Sequence, residues 1–230
     1  MSGEHKDEES ELNSDEELDP SVLGTIDHWK KEYSESIERF EDYGDIGEIW
    51  FGRDCMKRIV RWMSSSNLVS RSDNIVDLGC GNAALLIDLE KAGFTNLTGV
   101  DYSEEAIQLA QLIKEKENLV NIQLKVQDLL EDDIPANVYN IAVDKGTYDA
   151  ISLNPNDPAS KRKTYIRNVH TMIRPDGLFI LTSCNWTEAE LLDHLRQYFQ
   201  HIESISAPQF SFGGKVGNTV TTLILKKISS

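Results

Sequence analysis

Apolar residues near the start of the chain recur at helical intervals. Trp29, Tyr33, Ile37 and Phe40 follow one another at spacings of four, four and three, which places them on one face of an amphipathic helix over residues 25–43. A glycine-containing stretch, GDIGEIWFG at 44–52, breaks that pattern. Met56, Ile59, Val60 and Met63 then resume helical spacing over residues 55–63, ahead of a polar exit at 64–67. Residues 25–66 are therefore expected to form a helical cap packed on the part that follows.

From residue 74 onward, short apolar runs alternate with helical segments. IVDL (75–78), LTGV (97–100), IQLKV (122–126), YNIAV (139–143) and LFILTS (178–183) read as strands. Helices are expected between them over 83–92, 104–117 and 158–172. Such alternation calls for right-handed βαβ units and a mainly parallel sheet covered on both faces. The end of the chain departs from it: a helix over 188–199 precedes two strands, 201–206 and 219–227, expected to form a hairpin-like edge. The fold class is α/β and Rossmann-like.

Composition narrows the picture. The chain has 230 residues, enough for one α/β domain with ordinary appendages. Its net charge of −16 disfavours nucleic acid, because phosphate recognition relies on clustered Lys and Arg, and favours a basic partner. Residues 1–24 hold much of that charge and few apolar side chains, so they are expected to be an acidic, disordered tail ahead of a domain over 25–230. No apolar run approaches the ~18 residues that span a bilayer, and no membrane association is expected. Cys55, Cys80 and Cys184 are odd in number and widely spaced, which fits reduced thiols in the cytosol or nucleus. His28, His170, His194 and His201 sit on separate elements with no metal-binding spacing, and no metal is expected. The absence of an exposed apolar stripe or heptad repeat suggests a monomer.

The candidate chemistry lies in IVDLGCGNAAL (75–85), a strand ending at Asp77 followed by a turn with Gly79 and Gly81 and then a helix. Glycine permits the tight turn and close approach of backbone to a ligand. The next strand ends at Asp101, placed to accept hydrogen bonds from ribose hydroxyls, and the third ends near Asp128 and Leu129, a polar and apolar pair suited to adenine. Gly79, Gly81 and Ala84 also satisfy a loose dinucleotide pattern, so the glycines alone do not select a cofactor. Asp77 does: a carboxylate there would crowd a pyrophosphate but can pair with the cationic amino-acid end of S-adenosylmethionine.

VDLGCGNAAL and GVDYSEEAI resemble the first two motifs of the seven-strand class I methyltransferases. That resemblance implies S-adenosylmethionine as cofactor, S-adenosylhomocysteine as product, and strand order 3-2-1-4-5-7-6 with the last strand antiparallel. WFG (50–52), DKGTYDAI (144–151) and FSFGGKVGNTV (210–220) more narrowly resemble the eukaryotic elongation factor 1-alpha lysine methyltransferases of the methyltransferase-like group. The resemblance implies a protein substrate, elongation factor 1-alpha. It puts Asp144 to Thr147 where the substrate amine sits, and adds Trp50, Phe51, Gly52, Tyr102 and Asp144 to the cofactor site.

In this reading Asp144 orients the amine or receives its proton through water, with Tyr148 beside it as a second catalytic group. Trp50, Phe51 and Tyr148 are expected to line a narrow channel facing a cation. Asp144 is followed by LysGlyThr, not by the Pro-Pro-aromatic pattern of enzymes that methylate planar amides or bases, which disfavours those acceptors. A small-amine methyltransferase and a catalytically silent cofactor-binding scaffold are the alternatives, with a nicotinamide-dependent oxidoreductase a distant third.

Overall fold

Seven strands make the main sheet of the computed structural model, which describes residues 17–131, 133–207, 209–212, 215–218 and 220–228. They are β1 (Asn74–Leu78), β2 (Asn96–Asp101), β3 (Ile122–Val126), β4 (Tyr139–Lys145), β5 (Ile173–Ser183), β6 (Phe199–Ile205) and β9 (Thr221–Lys227), in the order β3-β2-β1-β4-β5-β9-β6. β9 runs antiparallel to both β5 and β6, so the seven strands show the order 3-2-1-4-5-7-6 with the last one antiparallel. Between β6 and β9, β7 (Gln209–Phe212) and β8 (Lys215–Asn218) pair as a separate antiparallel hairpin. The two strands expected as a hairpin-like edge are β6 and β9, which pair antiparallel at the end of the sheet, with β9 lying between β5 and β6.

Among the described residues seven α-helices flank the sheet: α1 (Ile26–Tyr43), α2 (Gly52–Ser65), α3 (Ala84–Lys91), α4 (Glu104–Lys116), α5 (Thr147–Ser152), α6 (Pro158–Met172) and α7 (Glu188–Leu195). Local chemistry sets their ends. α1 stops at Gly44, whose φ of 72° lets its N–H reach Phe40 O. Ser103 caps α4, which carries Glu104 and Glu105 in its first turn and Lys114 and Lys116 in its last, as the helix dipole favours. Asp157 and Pro158 start α6, and Thr187 with Glu190 forms a capping box on α7.

Alternate residues along each strand serve two separate cores. Ile75, Val143, Ile180 and Ile224 join Met56, Ile59 and Met63 of α2, Leu86 and Leu89 of α3, and Leu109 and Ile113 of α4. Val76, Leu78, Ala142, Phe179, Leu181, Leu223 and Leu225 face the other way, against Tyr165, Ile166 and Val169 of α6 and Leu191 and Leu195 of α7. Each fully buried Leu, Ile or Phe contributes roughly 1.5–3 kcal/mol, so both faces are needed to hold the sheet.

Three elements differ from expectation. β5 begins at Ile173, five residues before the expected run at 178–183, and Arg174–Gly177 interrupt its pairing with β4 as a bulge. α7 ends at Leu195, four residues early. The packed chain also starts before residue 25. Leu18 packs on the second core, Glu17 forms an ion pair with Arg162, and Ser21 N donates to Leu153 O at 3.0 Å. Asn154 Nδ2 donates to Gly24 O at 2.6 Å, and a Cβ on Gly24 would lie 2.3 Å from the Leu153 carbonyl. Residues 17–24, assigned above to the tail, are thus part of the folded body; residues 1–16 lie outside the described residues.

Candidate active site

The connections from β1 run outward to β2 and β3, whereas β4 lies on the opposite side of β1. Loops diverge at such a reversal and leave a crevice beyond the carboxyl ends of the strands. A cleft occupies that position, walled by the turn after β1, the ends of β2 and β3, the start of α5, and parts of α1 and the 46–50 loop.

The glycine turn is held from three sides. Gly79 N and Cys80 N donate to Val100 O at 2.8 and 2.9 Å. Gly79 and Gly81 have φ of 68° and 52°; a Cβ on the first would lie 2.1 Å from Thr147 Oγ1, and on the second 2.5 Å from the Tyr33 hydroxyl. Thr147 Oγ1 in turn donates to Leu78 O at 2.6 Å, joining α5 to β1. Asn82 Nδ2 donates to Ile46 O and Glu48 O, which draws the N-terminal loop over the turn.

Asp101 clasps this assembly. Its Oδ2 accepts from Gly81 N and its Oδ1 from Ser103 N, both at 3.0 Å, leaving lone pairs on a carboxylate that lines the cleft. Burial pushes its pKa up to about 6 despite those donors. Asp77 lies just beneath the wall and accepts no hydrogen bond from the described residues. Burial raises it to about 7, opposed by the Lys145 ammonium and reinforced by Asp101. Tyr102, Asp128 and Leu129 line the far end, where Asp128 Oδ1 accepts from Leu130 N and Asn168 Nδ2 donates to Leu129 O.

Trp50 also lines the cleft and meets Trp29 edge-on at 5.0 Å. Phe51 and Gly52 do not line it: Phe51 packs on the first core, and Gly52 opens α2. The two residues expected to be catalytic are also elsewhere. Asp144 follows Ala142 onto the α6 face of β4, where it is fully buried and accepts from Thr147 N (2.8 Å), Tyr148 N (2.9 Å) and the Tyr165 hydroxyl (2.6 Å). It fastens α5 to β4 and α6, and burial raises it to about 7. Tyr148, 0% exposed, pairs its hydroxyl with His194 Nδ1 at 2.8 Å behind α5. Neither side chain lines the cleft.

Lys145 and Thr147, from the segment expected at the substrate amine, do line the cleft, whereas Trp29 and Tyr33 are wall residues that the sequence did not assign to a site. The spacing of Trp29 and Tyr33 put them on one helix face, but periodicity does not distinguish a face covering a core from one covering a cleft. Lys145, the last residue of β4, donates to Trp50 O at 3.3 Å. Among the described residues no three His, Cys, Asp or Glu side chains are placed to hold a metal, and no helix is long and apolar enough to cross a membrane.

A glycine turn, a ribose-height carboxylate at Asp101, a donor-free carboxylate at Asp77 and an aromatic wall fit an adenosyl group bearing a cationic amino-acid chain. Comparison with known proteins agrees. Residues 70–227 match the family described as a methyltransferase domain. EEF1A lysine methyltransferase 2 of mouse is 47% identical over 90% of this chain and 85% of its own length; the human protein is 45% identical over 91% and 88%. Protein-lysine N-methyltransferase efm4 of Schizosaccharomyces pombe is 33% identical over 90% of this chain and 94% of its own. Among solved structures, the N-methyltransferase NodS from Bradyrhizobium japonicum with bound S-adenosylhomocysteine superposes with a TM-score of 0.63 at 17% identity, covering 88% of this chain and 98% of NodS. The chain therefore belongs to the family of class I, S-adenosylmethionine-dependent methyltransferases that contains EEF1A lysine methyltransferase 2 and efm4.

Proposed function

We propose that this enzyme methylates a lysine ε-amine of translation elongation factor 1-alpha. The observation that carries the proposal is the extent of the similarity to the EEF1A lysine methyltransferases. Only a tenth of the chain falls outside it, so it takes in the α1 helix that walls the cleft as well as the cofactor core. A net charge of −16 suits a basic protein surface better than nucleic acid. We infer action in the cytosol or nucleus, consistent with three free cysteines.

The bound cofactor supplies an electrophilic methyl group on a sulfonium. The chain's residues must then align the acceptor in line with that group and exclude water. Asp101 is assigned to the ribose hydroxyls, Asp128 and Leu129 to the adenine, and Asp77 to the α-ammonium. Trp29, Tyr33 and Trp50 line the cleft and would shield the amine-binding end, with aromatic rings suited to a cation. A lysine amine ordinarily titrates near 10.4 and must lose its proton before attack; burial beside a sulfonium favours the neutral form. Asp144 does not take that proton, because its oxygens are already engaged on the opposite sheet face.

Incubating elongation factor 1-alpha purified from cells that lack the enzyme with this protein and S-adenosylmethionine should add methyl mass to one lysine. Modification of free polyamines but not of the folded factor would replace this reading with the small-amine alternative.

The pKa of Asp77 adds a pH prediction. The stability it contributes to the apo protein is full near pH 4 and is lost as pH rises through about 7, because burial favours its protonated form. Cofactor affinity should change with the opposite sign, rising through pH 7 as the carboxylate that pairs with the ammonium forms. Calorimetric titrations of S-adenosylhomocysteine between pH 6 and 8 should show that rise in the wild type and a flatter profile in Asp77→Asn. An equal slope in both proteins would remove Asp77 from the ammonium site.

A further inference from the structure

Lys145 is the last residue of β4 and lines the cleft. It is one pleat beyond Val143, which pairs in register with Asp77, so the Lys145 and Asp77 side chains emerge from the same sheet face on neighbouring strands. No salt bridge joins them. The Lys145 ammonium gives one long hydrogen bond to Trp50 O, at 3.3 Å, and keeps two donors, while Asp77 accepts none. Lys145 lines the cleft and Asp77 is just below its wall. A carboxyl and an amine thus share one sheet face under the glycine turn, each with unused bonding capacity. Leaving them so is costly in a buried setting, and burial already disfavours the Lys145 charge. A zwitterionic ligand would give each group a partner of opposite charge and remove that cost for both.

We propose that Lys145 binds the α-carboxylate of the cofactor's methionine moiety while Asp77 takes its α-ammonium, so that the site reads the amino-acid head as a zwitterion. The inference concerns the cofactor and does not depend on which protein supplies the acceptor lysine. It makes Lys145 a specificity residue. A decarboxylated cofactor would leave the Lys145 ammonium without an anionic partner.

The test is calorimetric binding of S-adenosylhomocysteine and of its decarboxylated analogue, neither of which can donate a methyl group, with melting temperatures recorded in parallel. Since a hydrogen bond to a charged group is worth roughly 10- to 100-fold in affinity, the wild type should prefer the carboxylate-bearing ligand by about that factor. Lys145→Met should lose that preference, with affinity for the decarboxylated analogue within about twofold of wild type. Lys145→Arg should restore part of the preference. Equal weakening of both ligands by Lys145→Met would make Lys145 a structural residue only. A wild type that does not distinguish the two ligands would overturn the proposal without recourse to any variant.

Discussion

Asp144→Ala should melt roughly 8–16 °C below the wild type, taking about 4 kcal/mol for loss of a buried, fully hydrogen-bonded carboxylate and 2–4 °C per kcal/mol for a chain of this size. The substitution would leave Thr147 N, Tyr148 N and the Tyr165 hydroxyl without their acceptor, the last two on residues that are fully buried. Loss of activity is expected as well, but by loosening α5, which forms one wall of the cleft. Thermal melts separate the two roles. A variant as stable as the wild type yet inactive would return Asp144 to the acceptor side of the reaction.

Asp101→Ala should lower the affinity for S-adenosylhomocysteine by ~100-fold, since two charge-assisted contacts to a diol and the geometry of the glycine turn are lost together. The carboxylate ties Gly81 N to Ser103 N, and so couples the turn after β1 to the start of α4. Asp101→Asn retains one acceptor oxygen and presents an NH2 group to the other donor, so it should fall between Asp101→Ala and the wild type. Calorimetry decides this: unchanged affinity in Asp101→Ala would mean that the ribose is held elsewhere.

The long periodic elements were legible in the sequence because their apolar spacing is a direct record of burial. α1, starting one residue later than expected, and α6 lie where the spacing predicts, and the strand cores coincide with the apolar runs. α5 was not legible, since six residues are too few to show a helical period. Neither was the direction of Asp144. A parallel strand covered on both faces is apolar throughout, so YNIAV carries no in–out alternation from which to tell that Val143 and Lys145 face α2 and the cleft while Ala142 and Asp144 face α6. Asp77 and Asp101 were legible as strand ends because the glycine turn after β1 marks the carboxyl end of the strand, and β1 and β2 run parallel. Trp29 and Tyr33 reach the cleft only through packing between distant segments, and single-sequence spacing holds no record of that.

The wall of the cleft is drawn from α1, the β1 turn, the ends of β2 and β3, and the start of α5, segments far apart in the chain. Anything bound there ties the N-terminal helix to both halves of the sheet and favours the native state by mass action, by about 2.7 kcal/mol at a hundred times its dissociation constant. Against a typical total of roughly 5–15 kcal/mol, that is a large share. The fraction of molecules open to proteases would then fall as S-adenosylmethionine accumulates and rise as it is depleted, so a cell's methyl-donor supply would govern how long each copy of the enzyme survives as well as how fast it works.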